Sequence, residues 1–107
     1  MKKISNIHPG QVLDEEFLEP LGLTIYRLAK ETKIPQSRLS EILKGKRRVT
    51  ADTALRLSRF FGNTPSFWLG LQNDYDLEEE RFLIKKELLV IPTYKIYRNK
   101  MLNIAHA

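Results

Sequence analysis

Nine polar side chains between Gln36 and Arg48 are the part of this chain best suited to chemistry, and that chemistry is recognition. Gln36 and Arg38 can each make paired hydrogen bonds to a base edge, glutamine to adenine and arginine to guanine. Ser37 and Ser40 suit a phosphate oxygen or the methyl edge of thymine. Glu41 could accept from cytosine, or it could simply pair with Arg38 or Lys44 nearby. Lys44, Lys46, Arg47 and Arg48 suit phosphates. The plainer reading is a solvated helix face followed by a basic loop. Charge distribution separates the two. Residues 24–62 hold ten Lys or Arg against three acids, a local +7, whereas the whole chain is only +5. Basic charge therefore gathers around these residues, as it does around a polyanion-binding face.

The elements that position them read clearly. LTIYRLAKETKIPQSRLSEILKGKRRVT spells two short helices joined by a tight turn. Thr24 caps the first, and the backbone N–H groups of that helix start can meet a phosphate, so Thr24 belongs with the binding set. Ile25, Leu28, Ala29 and Thr32 share its inner face. Lys33 and Ile34 form the turn, with Ile34 as a buried plug. A left-handed turn would cost Lys33 roughly 1 kcal/mol. Pro35 suits the first position of the second helix. Leu39, Ile42 and Leu43 point inward there, and Gly45 is its left-handed stop.

The flanking segments are also helical. His8-Pro9-Gly10 opens a helix with Val12, Leu13, Phe17 and Leu18 on its apolar side, ended by Pro20-Leu21-Gly22. Thr50 caps a fourth helix with Ala54, Leu57, Phe60 and Phe61 inward and Leu55 beside them. Gly62 stops it. Thr64 and Pro65 open a fifth, whose core face is Phe67, Trp68 and Leu71. It continues through the acidic stretch Asp74 to Glu80 and meets no strong breaker before Pro92. Leu88 to Ile91 is either a short strand or the end of that helix. A last helix from Pro92 through Tyr94, Tyr97, Met101 and Ile104 is expected, although LLVIPTYKIY also has the β-branched and aromatic residues of an extended run. Residues 1–7 read as a loose arm. The expectation is one all-α domain over 1–107, with a five-helix helix-turn-helix core over about 8–87. A C-terminal extension, 88–107, then holds an extra short helix.

Other chemistry is poorly supplied. The chain of 107 residues has no cysteine, which excludes disulfides, thiol catalysis and cysteine-ligated zinc. His8 and His106 stand at no metal-ligand spacing, and no nucleophile–base set is placed together. No run approaches the roughly 20 apolar residues of a membrane span, and MKKISNIHPG lacks a signal-peptide core. We therefore expect a cytoplasmic protein that is not an enzyme. We also expect no cofactor, no metal, no membrane contact and no small-molecule substrate.

HPGQVLDEEFLEPLGLT before the helix pair and NTPSFWLGLQNDYDL after the fourth helix complete a pattern. Over roughly Ile7 to Leu77 the chain resembles the HigA-type antitoxins, the plasmid-maintenance antidote or VapI-like group of phage-repressor-like proteins. The resemblance implies a five-helix core, a homodimer and binding to double-stranded operator DNA of the protein's own operon. It further implies capture of a HigB-type toxin, a small basic ribonuclease encoded immediately upstream. Tyr75, Phe82, Leu88 and Tyr94 belong to an apolar surplus larger than a small core needs, and are the expected dimer or toxin surface. The acidic faces 14–19 and 74–80 could complement a basic toxin or simply be solvated. Two other readings use the same residues: a free-standing regulator without a toxin, and an interaction module whose basic face serves RNA or an acidic protein.

Overall fold

The computed structural model describes residues 6–94, and among them every regular element is helical. Helix α1 begins at Pro9–Val12, widens into a π-helical stretch at Leu13–Leu18 and closes with Glu19–Leu21. Pro20 lies inside this helix. It removes a donor, and in a regular α-helix its ring would collide with the carbonyl of Glu16. The wider π turn accommodates it. The five-residue step also brings Leu13 and Leu18 to one face, and both are buried. Gly22, at φ 60°, ends α1 in the left-handed conformation.

Helices α2 (Ile25–Thr32) and α3 (Gln36–Leu43) form the helix-turn-helix. The Thr24 hydroxyl accepts from Arg27 N at 3.1 Å and caps α2. Lys33 does adopt the left-handed conformation, at φ 62°. The turn is retained despite its side chain, because the surroundings fix both flanks. Lys33 N donates to Ala29 O at 2.9 Å, and Ile34 is fully buried. Pro35 caps α3 from outside rather than occupying its first turn, since its ψ of 136° is not helical. Gly45 takes the left-handed stop at φ 73°.

Helix α4 (Ala51–Phe61) and helix α5 (Pro65–Leu83) complete the core. Thr50 stands at the start of α4 as expected, but its side chain makes no capping hydrogen bond. Thr64 does cap α5, accepting from Phe67 N at 3.2 Å. Trp68 is fully buried, and its indole N–H donates to Asn63 Oδ1 at 3.0 Å. Phe17 sits against Phe61 and Trp68, with ring centroids 4.8 and 5.0 Å away. One expected core residue is a surface residue instead: Phe67 stands partly out at the rim of the aromatic cluster. Leu55, beside the apolar stripe, is 59% exposed.

The fifth helix is long, 19 residues, but it does not run to Pro92. Ile84, at φ −109° and ψ 24°, breaks it, and a short helix α6 (Lys85–Leu89) follows. The strand alternative for 88–91 is thereby excluded. Every residue from Glu80 to Tyr94 is exposed, including Phe82, Leu83, Leu88, Leu89 and Ile91. The expected helix after Pro92 falls largely outside the described residues, as do His106 and most of the N-terminal arm. Within that arm, Asn6 is anchored: its amide donates to Tyr75 O at 2.9 Å and to Glu79 Oε2 at 3.2 Å.

Candidate nucleic-acid interface

Helix α3 packs inward through Leu39 and Ile42, which are fully buried, and through half-buried Leu43. At 100° per residue the side opposite Leu39 and Ile42 carries Ser37, Glu41 and Lys44. All three are exposed, as is Gln36 at the first turn. Arg38 and Ser40 lie on the flanks and are half-buried. The basic loop Lys46–Arg48 leaves the end of α3 beside this face. The backbone turns there through Gly45 N to Ile42 O at 3.0 Å and Lys46 N to Glu41 O at 2.8 Å.

Each arginine of the face is held by a carboxylate. Arg38 reaches Asp52 on α4, with Nη1 to Oδ2 at 2.8 Å. Arg56 shares that carboxylate, its Nε 3.1 Å from Oδ2, and donates through Nη1 to Thr32 O at 3.0 Å. These hydrogen bonds, the one from Arg38 foremost, hold the Asp52 carboxyl below its ordinary pKa. Arg47 pairs with Glu41 at 3.1 Å. The expected partners of Glu41, Arg38 and Lys44, are therefore corrected: Arg38 is drawn sideways to α4, leaving the carboxylate to the loop arginine. Arg48 pairs with Asp76 on α5 at 2.6 Å. Lys44 and Lys46 have no ion pair among the described residues. Thr24 lies at the start of α2 with its hydroxyl committed to the cap.

A bracket from α5 fixes the loop, and sequence reasoning missed it. Gln72 is buried on the core side of α5, one turn beyond Trp68. Its Oε1 accepts from Val49 N at 2.7 Å, and its Nε2 donates to Asp76 Oδ1 at 2.9 Å. A single polar residue thus satisfies the loop backbone and aligns the carboxylate that holds Arg48. The only signal in the sequence is a glutamine at a position where the helical period calls for an apolar residue.

His8 supports the same corner. Its Nδ1 accepts from Gly10 N at 2.9 Å and so caps α1, and its ring meets Tyr75 edge-on at 4.9 Å. Tyr75, expected on a partner surface, is half-buried in this contact. Phe82, Leu88 and Tyr94 are exposed, 43–68% of each, on the free end of α5, on α6 and beyond. Burial lowers the His8 pKa from 6.5, with the Asp76 carboxylate opposing the shift. Folding thus favours the neutral ring, so this contact stabilises the fold above pH 6.5 and fades as the pH falls below it. Thermal melts across that range should show acid destabilisation that is shallower in His8→Asn, whose amide oxygen can cap without titrating. Identical pH slopes for the two proteins would remove His8 as the cause.

The described residues contain no cluster of His, Cys, Asp or Glu able to hold a metal ion. No helix among them is long and apolar enough to cross a membrane. A capped helix pair with a polar outer face and a bracketed basic loop defines a helix-turn-helix protein, and residues 15–69 match the helix-turn-helix family model. The similarity extends to one group within that class. Virulence-associated protein I of Dichelobacter nodosus is 50% identical over 72 residues, which cover 67% of each chain. A HigA-family antidote protein from Coxiella burnetii superposes with a TM-score of 0.79 at 42% identity, covering 85% of this chain and all of that one. The Pseudomonas aeruginosa antitoxin HigA, solved with the higBA promoter, gives a TM-score of 0.78 at 31% identity, covering 82% of this chain and 97% of that one. The chain belongs to the HigA-type helix-turn-helix antitoxin family, and it is not an enzyme.

Proposed function

We propose that this protein is an antitoxin that represses its own operon, reading a two-fold operator through α3 and neutralising a HigB-type ribonuclease toxin. The observation that carries the DNA reading is the bracketed basic loop beside an exposed polar helix face. A structural relative solved with its promoter DNA supports the same use of the fold. One α3 reads few base pairs, so useful discrimination calls for a dimer with half-sites about 34 Å apart. The exposed apolar run from Leu77 to Tyr94 is the surface we assign to that dimer. The toxin then meets a different face from the one committed to phosphate. The acidic side of α1, with Asp14, Glu15, Glu16 and Glu19 all exposed, suits encounter with a basic protein.

The test is titration of the protein with the promoter region of its own gene, beside light scattering and a pull-down with the upstream gene product. Arg38→Ala should cost about 1–3 kcal/mol and relax preference at one base position. Lys46→Ala should weaken all sequences alike and flatten the salt slope by about one unit. Unchanged affinity in both variants would remove α3 and its loop from the interface. DNA binding without capture of any upstream product would leave a plain regulator.

A further inference from the structure

The cations of the α3 face are already partly neutralised by the chain itself. Five basic side chains serve this face: Arg38, Lys44, Lys46, Arg47 and Arg48. Three of them, the arginines, each stand 2.6–3.1 Å from a carboxylate of their own chain. The three carboxylates come from three helices, Glu41 on α3, Asp52 on α4 and Asp76 on α5. None lies in a buried core: the six side chains are 28–58% exposed, so water and DNA can reach both members of each pair.

Such an arrangement has an electrostatic consequence. Non-specific binding to DNA is driven by counterion release, which follows the net charge a protein brings to the phosphates. An arginine that stays paired brings almost none. One that turns to a phosphate leaves a bare carboxylate beside a polyanion, and that repulsion opposes the new contact. Random DNA offers phosphates only, so it gains little from these arginines. A sequence with suitably placed base edges offers more. A guanine can take the fork of Arg38, and the exocyclic amine of cytosine can donate to Glu41 once Arg47 moves to the backbone. The exchange then satisfies both members of the pair.

We propose that Glu41, Asp52 and Asp76 are specificity-determining residues, whose pairing with Arg47, Arg38 and Arg48 withholds these arginines from non-specific DNA. The inference rests on the DNA-reading function proposed above. It concerns specificity rather than affinity. Removing any one carboxylate raises binding to the wrong DNA more than to the right one.

Glu41→Gln, Asp52→Asn and Asp76→Asn test it one at a time. Each keeps the side-chain shape and an acceptor oxygen, and the half-exposed sites tolerate the change. Each full-length variant is titrated against a random-sequence duplex and against the promoter region of its own gene, at several salt concentrations. The expected result is a random-DNA salt slope steeper by about 0.9 for each arginine released. Affinity for random DNA should rise several-fold, and the ratio of promoter to random affinity should fall. A structural role for the pairs would lower the melting temperature without moving that slope. Wild-type slopes in all three variants overturn the proposal and leave the DNA reading intact. If neither wild type nor variants bind any duplex, the DNA reading itself fails, and this inference with it.

Discussion

Gly10→Ala should be among the most damaging single substitutions available in this chain, although glycine is replaced by the best helix former. Gly10 lies in the first turn of α1, buried against α3. A methyl group built there would overlap the carbonyl oxygen of Ile42 and approach the backbone of Leu43. Both obstacles are main chain, so no rotamer change relieves the clash. Either α1 or the recognition helix must shift. Overpacking of this kind costs about 1–3 kcal/mol, occasionally more. For a domain of this size that is a fall of roughly 4–20 °C in melting temperature. Displacing α3 should also weaken DNA binding beyond the loss expected from the unfolded fraction. Gly70→Ala is the matched control. It lies inside α5, and apart from the adjoining helix backbone and its chain neighbours no atom comes within 4 Å of the added carbon, so only helix propensity changes. It should stabilise by up to about 1 kcal/mol. Equal melting temperatures for the two variants would show that α1 and α3 do not approach as closely as the structure places them.

The contrast marks what the sequence could and could not reveal. The helix pair was legible because its signals are local: Thr24 before an amphipathic run, Ile34 in the turn, Gly45 after the last turn. Each acts within four residues, and the structure keeps all three. The role of Gly10 was not legible, because the atom it must avoid belongs to Ile42, far along the chain. The ion pairs were hidden for the same reason. Arg38 and Asp52 are 14 positions apart, and Arg48 and Asp76 are 28 apart. Spacing rules for a single helix therefore paired Glu41 with its helical neighbours. The three-dimensional fold brings Arg47 to it instead. Phe67 is misplaced by a subtler effect. It sits beside a true core position, Trp68, and the helical period alone does not fix the width of the buried stripe. Nothing in the residue types marks the break at Ile84.

Gln72→Leu should couple stability to DNA affinity in a way that no surface charge variant does. The leucine matches the size of the side chain but offers no acceptor to Val49 N and no donor to Asp76. Val49 is buried, so its N–H would be left without a partner, a loss of about 1–3 kcal/mol. The added apolar contact offsets little of this, because Gln72 already fills its site and no new area leaves water. The second effect is geometric. The loop loses the backbone anchor next to Arg48. Lys46, Arg47 and Arg48 then sample positions that no longer match phosphate spacing. Affinity for promoter and random DNA should fall together, since the misplaced contacts carry no sequence information. Lys46→Ala provides the comparison: it removes one phosphate contact from an exposed side chain and should leave the melt unchanged. Thermal melts and DNA titrations on the two variants separate the contributions. If Gln72→Leu melts with wild type, the Val49 hydrogen bond does not stabilise the loop. If it melts lower yet binds DNA as wild type does, the bracket holds the fold together without setting the geometry of the basic loop.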